Sequence, residues 1–184
     1  MYEVELKVEL TAEDKENLIA EFKARGFVAK GMTPQNDYYI EAKKSQYKGY
    51  DLKRYREEAG KYIYTEKIWE IVDDQPARRE NEHEVTEPEF KSVIAQYPDA
   101  IKIIKDREWF AGEYQSTPIS LTIDSVKFDH SPSMRFFTEA EIDVEDRTEV
   151  SKAKEIIELF LKDVLKKTEI VESPGMFMMA FEKR

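Results

Sequence analysis

The chain has 184 residues, of which 41% are hydrophobic and 37% charged, with a net charge of −10, room for one ordinary domain with a real core and marginal for two. That acidic balance argues against nucleic acid as the main partner, because such binding runs on a basic surface. The absence of cysteine removes disulfides, Cys-based zinc sites and thiol nucleophiles, and no apolar run near membrane-spanning length or export signal is found, so the expectation is a cytoplasmic protein with no membrane partner.

The opening stretch Glu3-Val4-Glu5-Leu6-Lys7-Val8-Glu9-Leu10 alternates charged and apolar residues without a miss. As a β-strand it puts Glu3, Glu5, Lys7 and Glu9 on one face and four aliphatic residues on the other. Thr11 with a carboxylate at Asp14 opens a helix carrying Leu18, Ile19 and Phe22, and Gly26 stops it. Residues 27–33 and 36–42 read as two short strands separated by Pro34, followed by a polar loop over 42–48. Residues 51–57 form a strand with Leu52, Arg54 and Arg56 co-facial. Ala59-Gly60 turns the chain into a strand over 62–70 that presents Thr65, Lys67 and Trp69 together. In the strand over 78–84, Arg78, Glu80, Glu82 and Glu84 share a face.

Thr86-Glu87-Pro88-Glu89 opens a second helix, with Phe90, Val93, Ile94 and Tyr97 on it and a stop at Pro98. Strands over 101–110, 118–128 and 136–144 follow. They place Ile103, Lys105 and Arg107 together, Thr122, Asp124 and Val126 together, and Glu139, Glu141 and Asp143 together. The longest helix, 151–167, has Ile156, Ile157, Leu159, Phe160, Val164 and Leu165 as its apolar stripe, and a short Met-rich element closes the chain. Short turns between consecutive strands mean a mainly antiparallel sheet and an α+β class, with one domain over 1–184.

The charged faces carry the chemistry. Acids fall as Glu-x-Glu pairs and bases as Arg-x-Arg or Lys-x-Arg pairs, so like charges sit two residues apart along a strand. A water-facing sheet gains nothing from this, since two carboxylates at about 4 Å repel by roughly 4 kcal/mol in a protein-like dielectric. A divalent cation between the acids removes the repulsion, and paired bases offer donors to phosphate oxygens. His83 lies on the parity opposite the acids and His130 in a turn, and both read as surface residues.

Glu3-x-Glu5-x-Lys7 resembles the ExExK signature of the CYTH superfamily, the triphosphate tunnel metalloenzymes, which include class IV adenylyl cyclases, thiamine triphosphatases and inorganic triphosphatases. The resemblance continues in order through Arg54-x-Arg56, Thr65-x-Lys67, Arg78-x-Glu80-x-Glu82, Lys105-x-Arg107, Asp124 and Glu139-x-Glu141. Departures are Lys53 and Tyr55 where apolar residues are usual, a longer turn before Glu139, and a third acid, Glu84, after the Glu80/Glu82 pair.

The resemblance implies an eight-stranded antiparallel β tunnel with helices outside it. The bound substrate would be a small-molecule triphosphate with Mg²⁺ or Mn²⁺, in a monomer or homodimer. Lys7, Arg54, Arg56, Lys67, Arg78, Lys105 and Arg107 would bind phosphate. Glu3, Glu5, Asp124, Glu139 and Glu141 would bind metal, and Glu5, Glu80, Glu82 and Lys67 would act in the chemistry. Three functions fit: hydrolysis of inorganic, thiamine or nucleoside triphosphates; cyclisation of ATP to cyclic AMP and pyrophosphate; and non-catalytic polyphosphate binding.

Overall fold

The computed structural model describes residues 2–47, 49–72, 75–129, 131 and 133–181, with backbone alone for 72 and 75–78. The described residues form eight antiparallel strands: β1 Tyr2–Leu10, β2 Val28–Lys44, β3 Tyr50–Glu58, β4 Lys61–Val72, β5 Gln75–Val85, β6 Ile101–Tyr114, β7 Thr117–Phe128 and β8 Arg135–Val144. Among the described residues four α-helices accompany them: α1 Ala12–Ala24, α2 Glu87–Gln96, α3 Val150–Leu165 and α4 Met176–Phe181. The pairing order in the single sheet is β1-β8-β7-β6-β2-β3-β4-β5, which is the expected α+β architecture. The chain divides into two compact units. Unit one is Met1–Met32, Asp106–Val126 and Ser133–Pro174; unit two is Thr33–Lys105, Lys127–Pro132 and Gly175–Arg184.

Unit one is built on the alternation of β1. Val4, Leu6, Val8 and Leu10 are buried, each at most 7% exposed, and α1 and α3 cover that face. Helix α1 begins where the Thr11–Asp14 capping box supplies partners for otherwise orphaned amide groups. Its Phe22 meets Phe110 at 5.3 Å and Phe160 at 6.0 Å between ring centroids, and full burial of each such ring contributes about 1.5–3 kcal/mol. Gly112 lets the Phe27 ring approach β6, since a Cβ there would lie 2.5 Å from it. On α3 the buried residues are Ala153, Ile157, Phe160, Leu161 and Val164. The stripe therefore runs through Leu161, and Leu159, expected inside, is 44% exposed.

Unit two is a β2–β3–β4–β5 meander, covered on one face by α2. Phe90 of α2 packs on Tyr62 at 4.7 Å, Tyr38 at 5.7 Å and Tyr55 at 6.2 Å. Tyr55, noted above as a departure from the usual apolar residue, is buried in this small aromatic core. Helix α4 places Phe177 against Tyr39 and Tyr50.

The division of 28–44 into two strands by Pro34, and the loop expected from Ala42, are corrected here: β2 is one strand of 17 residues. Its pairing with β3 begins at Gln35↔Glu58, one residue past the proline, so the ladder to β3 does not need the amide hydrogen that Pro34 lacks.

Candidate functional site

In unit one the register brings the charged faces of β1 and β8 together. Glu3 faces Asp143, Glu5 faces Glu141 and Lys7 faces Glu139, while Thr122 of β7 faces Glu139 from the other side. Lys7 Nζ lies 2.9 Å from Glu139 Oε2, and Arg107 Nη2 donates to the same oxygen at 3.3 Å. Arg107 also grips Asp124 through two hydrogen bonds of 2.7 Å. Asp124 is fully buried and Glu139 is 6% exposed. One carboxylate oxygen from each of Glu3, Glu139 and Glu141 lies within 4.8 Å of the others. Glu5 shares a hydrogen bond with Glu139, and the buried Thr122 hydroxyl has no hydrogen-bond partner.

The electrostatics follow from this crowding. Burial alone would raise Glu139, but Lys7 and Arg107 outweigh it and hold the carboxyl well below its usual range. Burial likewise works against the Lys7 charge, yet Glu139 and Glu5 raise its pKa. For Glu141 the balance tips the other way: burial, then Glu139, Asp143 and Glu5, outweigh the Arg107 charge and push it up to about 7. The arrangement offers hard oxygen ligands at a point of unrelieved negative charge, the donor chemistry that Mg²⁺ or Mn²⁺ requires.

Unit two holds the basic half around a residue not anticipated from sequence. Asp37 of β2, 1% exposed, accepts from Arg56 Nε at 2.6 Å and Nη2 at 3.0 Å. Lys105 Nζ lies 3.6 Å and Arg54 Nη1 3.7 Å from Asp37 Oδ2. Burial opposes the Asp37 charge, but Arg54, Lys105 and Arg56 reverse it and depress the pKa far below the ordinary carboxylate value. Arg54 Nη2 donates to Thr65 Oγ1 at 2.8 Å, and that hydroxyl donates to Glu82 Oε2 at 3.0 Å. The β4–β5 register sets Thr65 against Glu82 and Lys67 against Glu80, and Lys67 forms an ion pair with Glu80. Glu84 faces Ile63 at the next step, which fixes the order of the three acids.

The predicted residues thus gather as two clusters. Glu3, Glu5, Lys7, Arg107, Asp124, Glu139 and Glu141 lie in unit one, and Arg54, Arg56, Lys67, Glu80, Glu82 and Lys105 in unit two. Arg78 has its backbone opposite Trp69, but its side chain lies outside the described residues, as does His130. His83 is exposed, as expected of a surface residue. The signal for Asp37 was the alternation Gln35-x-Asp37-x-Tyr39, which is obscured by Pro34 just before it and lacks a like-charged pair.

The family model described as the CYTH domain matches residues 1–172. The chain belongs to the CYTH domain family. Among solved structures, a Pyrococcus horikoshii OT3 protein is 22% identical over 100% of both chains, with a TM-score of 0.70. A Bacillus halodurans protein described as a putative adenylate cyclase is 14% identical, covering 98% of this chain and 100% of its own, with a TM-score of 0.66. A Hippeastrum protein described as a putative adenylyl cyclase with a dominant triphosphatase activity is 11% identical over 100% of this chain and 97% of its own, with a TM-score of 0.60. At these identities the likeness is one of CYTH fold. A comparison with curated protein sequences finds no match. Among the described residues, no helix is long and apolar enough to cross a membrane.

Proposed function

We propose that this CYTH protein is a divalent-metal-dependent hydrolase of triphosphates, with 1–184 acting as one functional domain. Lys7, Arg54, Arg56, Lys67, Arg78, Lys105 and Arg107 engage phosphate oxygens. Glu3, Glu5, Asp124, Glu139 and Glu141 form the carboxylate set for Mg²⁺ or Mn²⁺, with Glu3, Glu139 and Glu141 as its centre. The observation that carries the reading is the convergence of those three carboxylates within 4.8 Å. The buried, unpartnered hydroxyl of Thr122, directly opposite Glu139, supports it.

Bound there, a hard divalent cation supplies neutralisation of charge on phosphoryl oxygens and a coordinated water of lowered pKa. The chain's own residues do the rest. Arg54 and Arg56 present planar, permanently charged donors matched to phosphate. Lys7 and Arg107 hold Glu139 ionised. Glu5, Glu80, Glu82 and Lys67 are the candidates for positioning the attacking water and moving its proton. The dominant triphosphatase activity of the structurally similar Hippeastrum protein favours hydrolysis over cyclisation.

The test is incubation with tripolyphosphate, thiamine triphosphate and ATP, each with Mg²⁺ or Mn²⁺. Release of orthophosphate that stops in excess chelator and resumes with metal is the expected result. Cyclic AMP and pyrophosphate from ATP would replace hydrolysis with cyclisation. Tight triphosphate binding without turnover would leave a non-catalytic module.

A further inference from the structure

Gln35 is 1% exposed, and neither its amide oxygen nor its amide nitrogen has a hydrogen-bond partner. Buried polar side chains are satisfied in the large majority of cases, because each group stripped of water without a replacement destabilises the fold. A Leu or Met would fill the position without the penalty.

Strand geometry says which face holds it. Gln35 lies two residues from Asp37 on β2, hence on the same side and roughly 6.5–7 Å along the strand. Asp37 is the anchor of Arg54, Arg56 and Lys105. The residues between and beyond them point the other way: Asn36 donates to Glu57, and Tyr38 packs on Phe90 of α2. Gln35 pairs with Glu58 two residues along the ladder from Asp37↔Arg56. The carboxamide therefore stands at one end of the basic ladder, a neutral group beside charged ones.

Its chemistry differs from that of the ladder. A fully ionised phosphate only accepts hydrogen bonds, so it can satisfy the Gln35 nitrogen but leaves the oxygen orphaned. A partner for both must carry a donor and an acceptor side by side. The amino group and adjacent ring nitrogen of an adenine or an aminopyrimidine have that edge, which Gln reads in bidentate fashion in nucleic acids. We propose that Gln35 is a specificity-determining residue that selects triphosphates bearing an aminated nitrogen heterocycle over inorganic triphosphate. The inference rests on the triphosphate reading of the site and adds the substrate class to it.

The experiment compares kcat/KM for ATP, thiamine triphosphate and tripolyphosphate in the wild type, Gln35→Met and Gln35→Glu, with thermal melting of each. Gln35→Met removes both hydrogen-bonding atoms and should melt higher than the wild type. Its preference for the better organic substrate over tripolyphosphate should fall by about tenfold or more, as expected when a site built to pair a polar edge loses its partner. Gln35→Glu keeps the shape but sets a carboxylate against the ring nitrogen, so it should lose the same preference. Equal losses on all three substrates, as an internal water satisfying Gln35 would give, overturn the inference. So does a wild type that cleaves tripolyphosphate and ignores both organic compounds, an outcome that leaves the triphosphatase reading standing. A wild type inert towards all three removes that reading and this inference together.

Discussion

The two charged clusters are made of the same residue types and are wired in opposite ways. In unit two the register sets opposite charges side by side: Asp37 against Arg56 and Lys67 against Glu80, with Thr65 relaying Arg54 to Glu82. In unit one it sets Glu5 against Glu141 and Glu3 against Asp143, carboxyl against carboxyl, with Lys7↔Glu139 as the compensated pair. Like charges directly opposite in a ladder are destabilising. Unit two is thus internally neutralised before any ligand arrives, whereas unit one holds an excess of negative charge that a cation would relieve. A phosphate approaching unit two competes with Asp37 for the same donors; a metal approaching unit one meets carboxylates that the register sets against carboxylates.

The sharpest way to break this contrast is Asp37→Asn. The change preserves shape but leaves Arg54, Arg56 and Lys105, all at most 8% exposed, without their buried anion. Removing one partner of a buried ionic cluster costs about 3–5 kcal/mol, and denaturant unfolding of the variant should show a loss in that range. Added tripolyphosphate should then stabilise the variant more than the wild type, because the anion replaces the missing carboxylate. A variant as stable as the wild type would mean that the basic residues do not depend on Asp37, and the contrast would collapse.

How much of this was legible beforehand depended on periodicity. The strict alternation of β1, the Arg54-x-Arg56 and Glu139-x-Glu141 pairs and the Thr11 and Thr86 caps all express local rules, and each element formed where those rules put it. Asp37 and Gln35 followed no such rule. They stand singly in a strand whose reading was broken by Pro34, and their importance comes from cross-strand partners that no local pattern encodes. The α3 stripe is a different case: Leu161 stands four residues after Ile157 and three before Val164, on their face, whereas Leu159 lies on nearly the opposite side and is exposed, so helical spacing itself selects Leu161.

The second expected effect is smaller and separates the units by pH. Glu141, at about 7 in the folded chain against an ordinary 4.5, keeps its proton when the unfolded chain has lost it. The contribution of this group to stability therefore falls as pH rises from about 4.5 to 7, and the penalty is complete above that. Asp37 behaves oppositely. Its pKa is depressed below the ordinary 3.8, so its contribution is present above that pH and erodes as the pH falls below it. In metal-free protein at pH 8, Glu141→Gln should gain about 1–3 kcal/mol and flatten the pH profile between 5 and 7. Unfolding curves across pH test both signs at once. A Glu141→Gln variant less stable than the wild type at pH 8 would remove the claim that unit one carries unrelieved charge.

The smallest effect concerns the two hairpins, one in each unit, that hold these strands in register. The β3–β4 turn uses Ala59 and Gly60, at φ 49° and 78°, and the β6–β7 turn uses Gln115 and Ser116, at φ 51° and 62°. Both are two-residue turns with left-handed backbone at both positions, a conformation that suits the right-handed twist of the flanking strands and favours Asn and Gly. Unit two has the glycine at the second position; unit one has none, so Gln115 and Ser116 both hold a backbone that a Cβ disfavours. Ser116→Gly should therefore stabilise the protein by about 0.5–1 kcal/mol, and Gly60→Ala should destabilise it by a similar amount or more. Neither change touches a charged cluster, so triphosphate turnover per folded molecule should be the same in both variants. Equal stability for Ser116→Gly and the wild type would mean that the Gln115–Ser116 turn is held by something other than its own backbone preference. If either variant altered turnover, the hairpins would be setting the geometry of the clusters, and the two units could no longer be compared by charge alone.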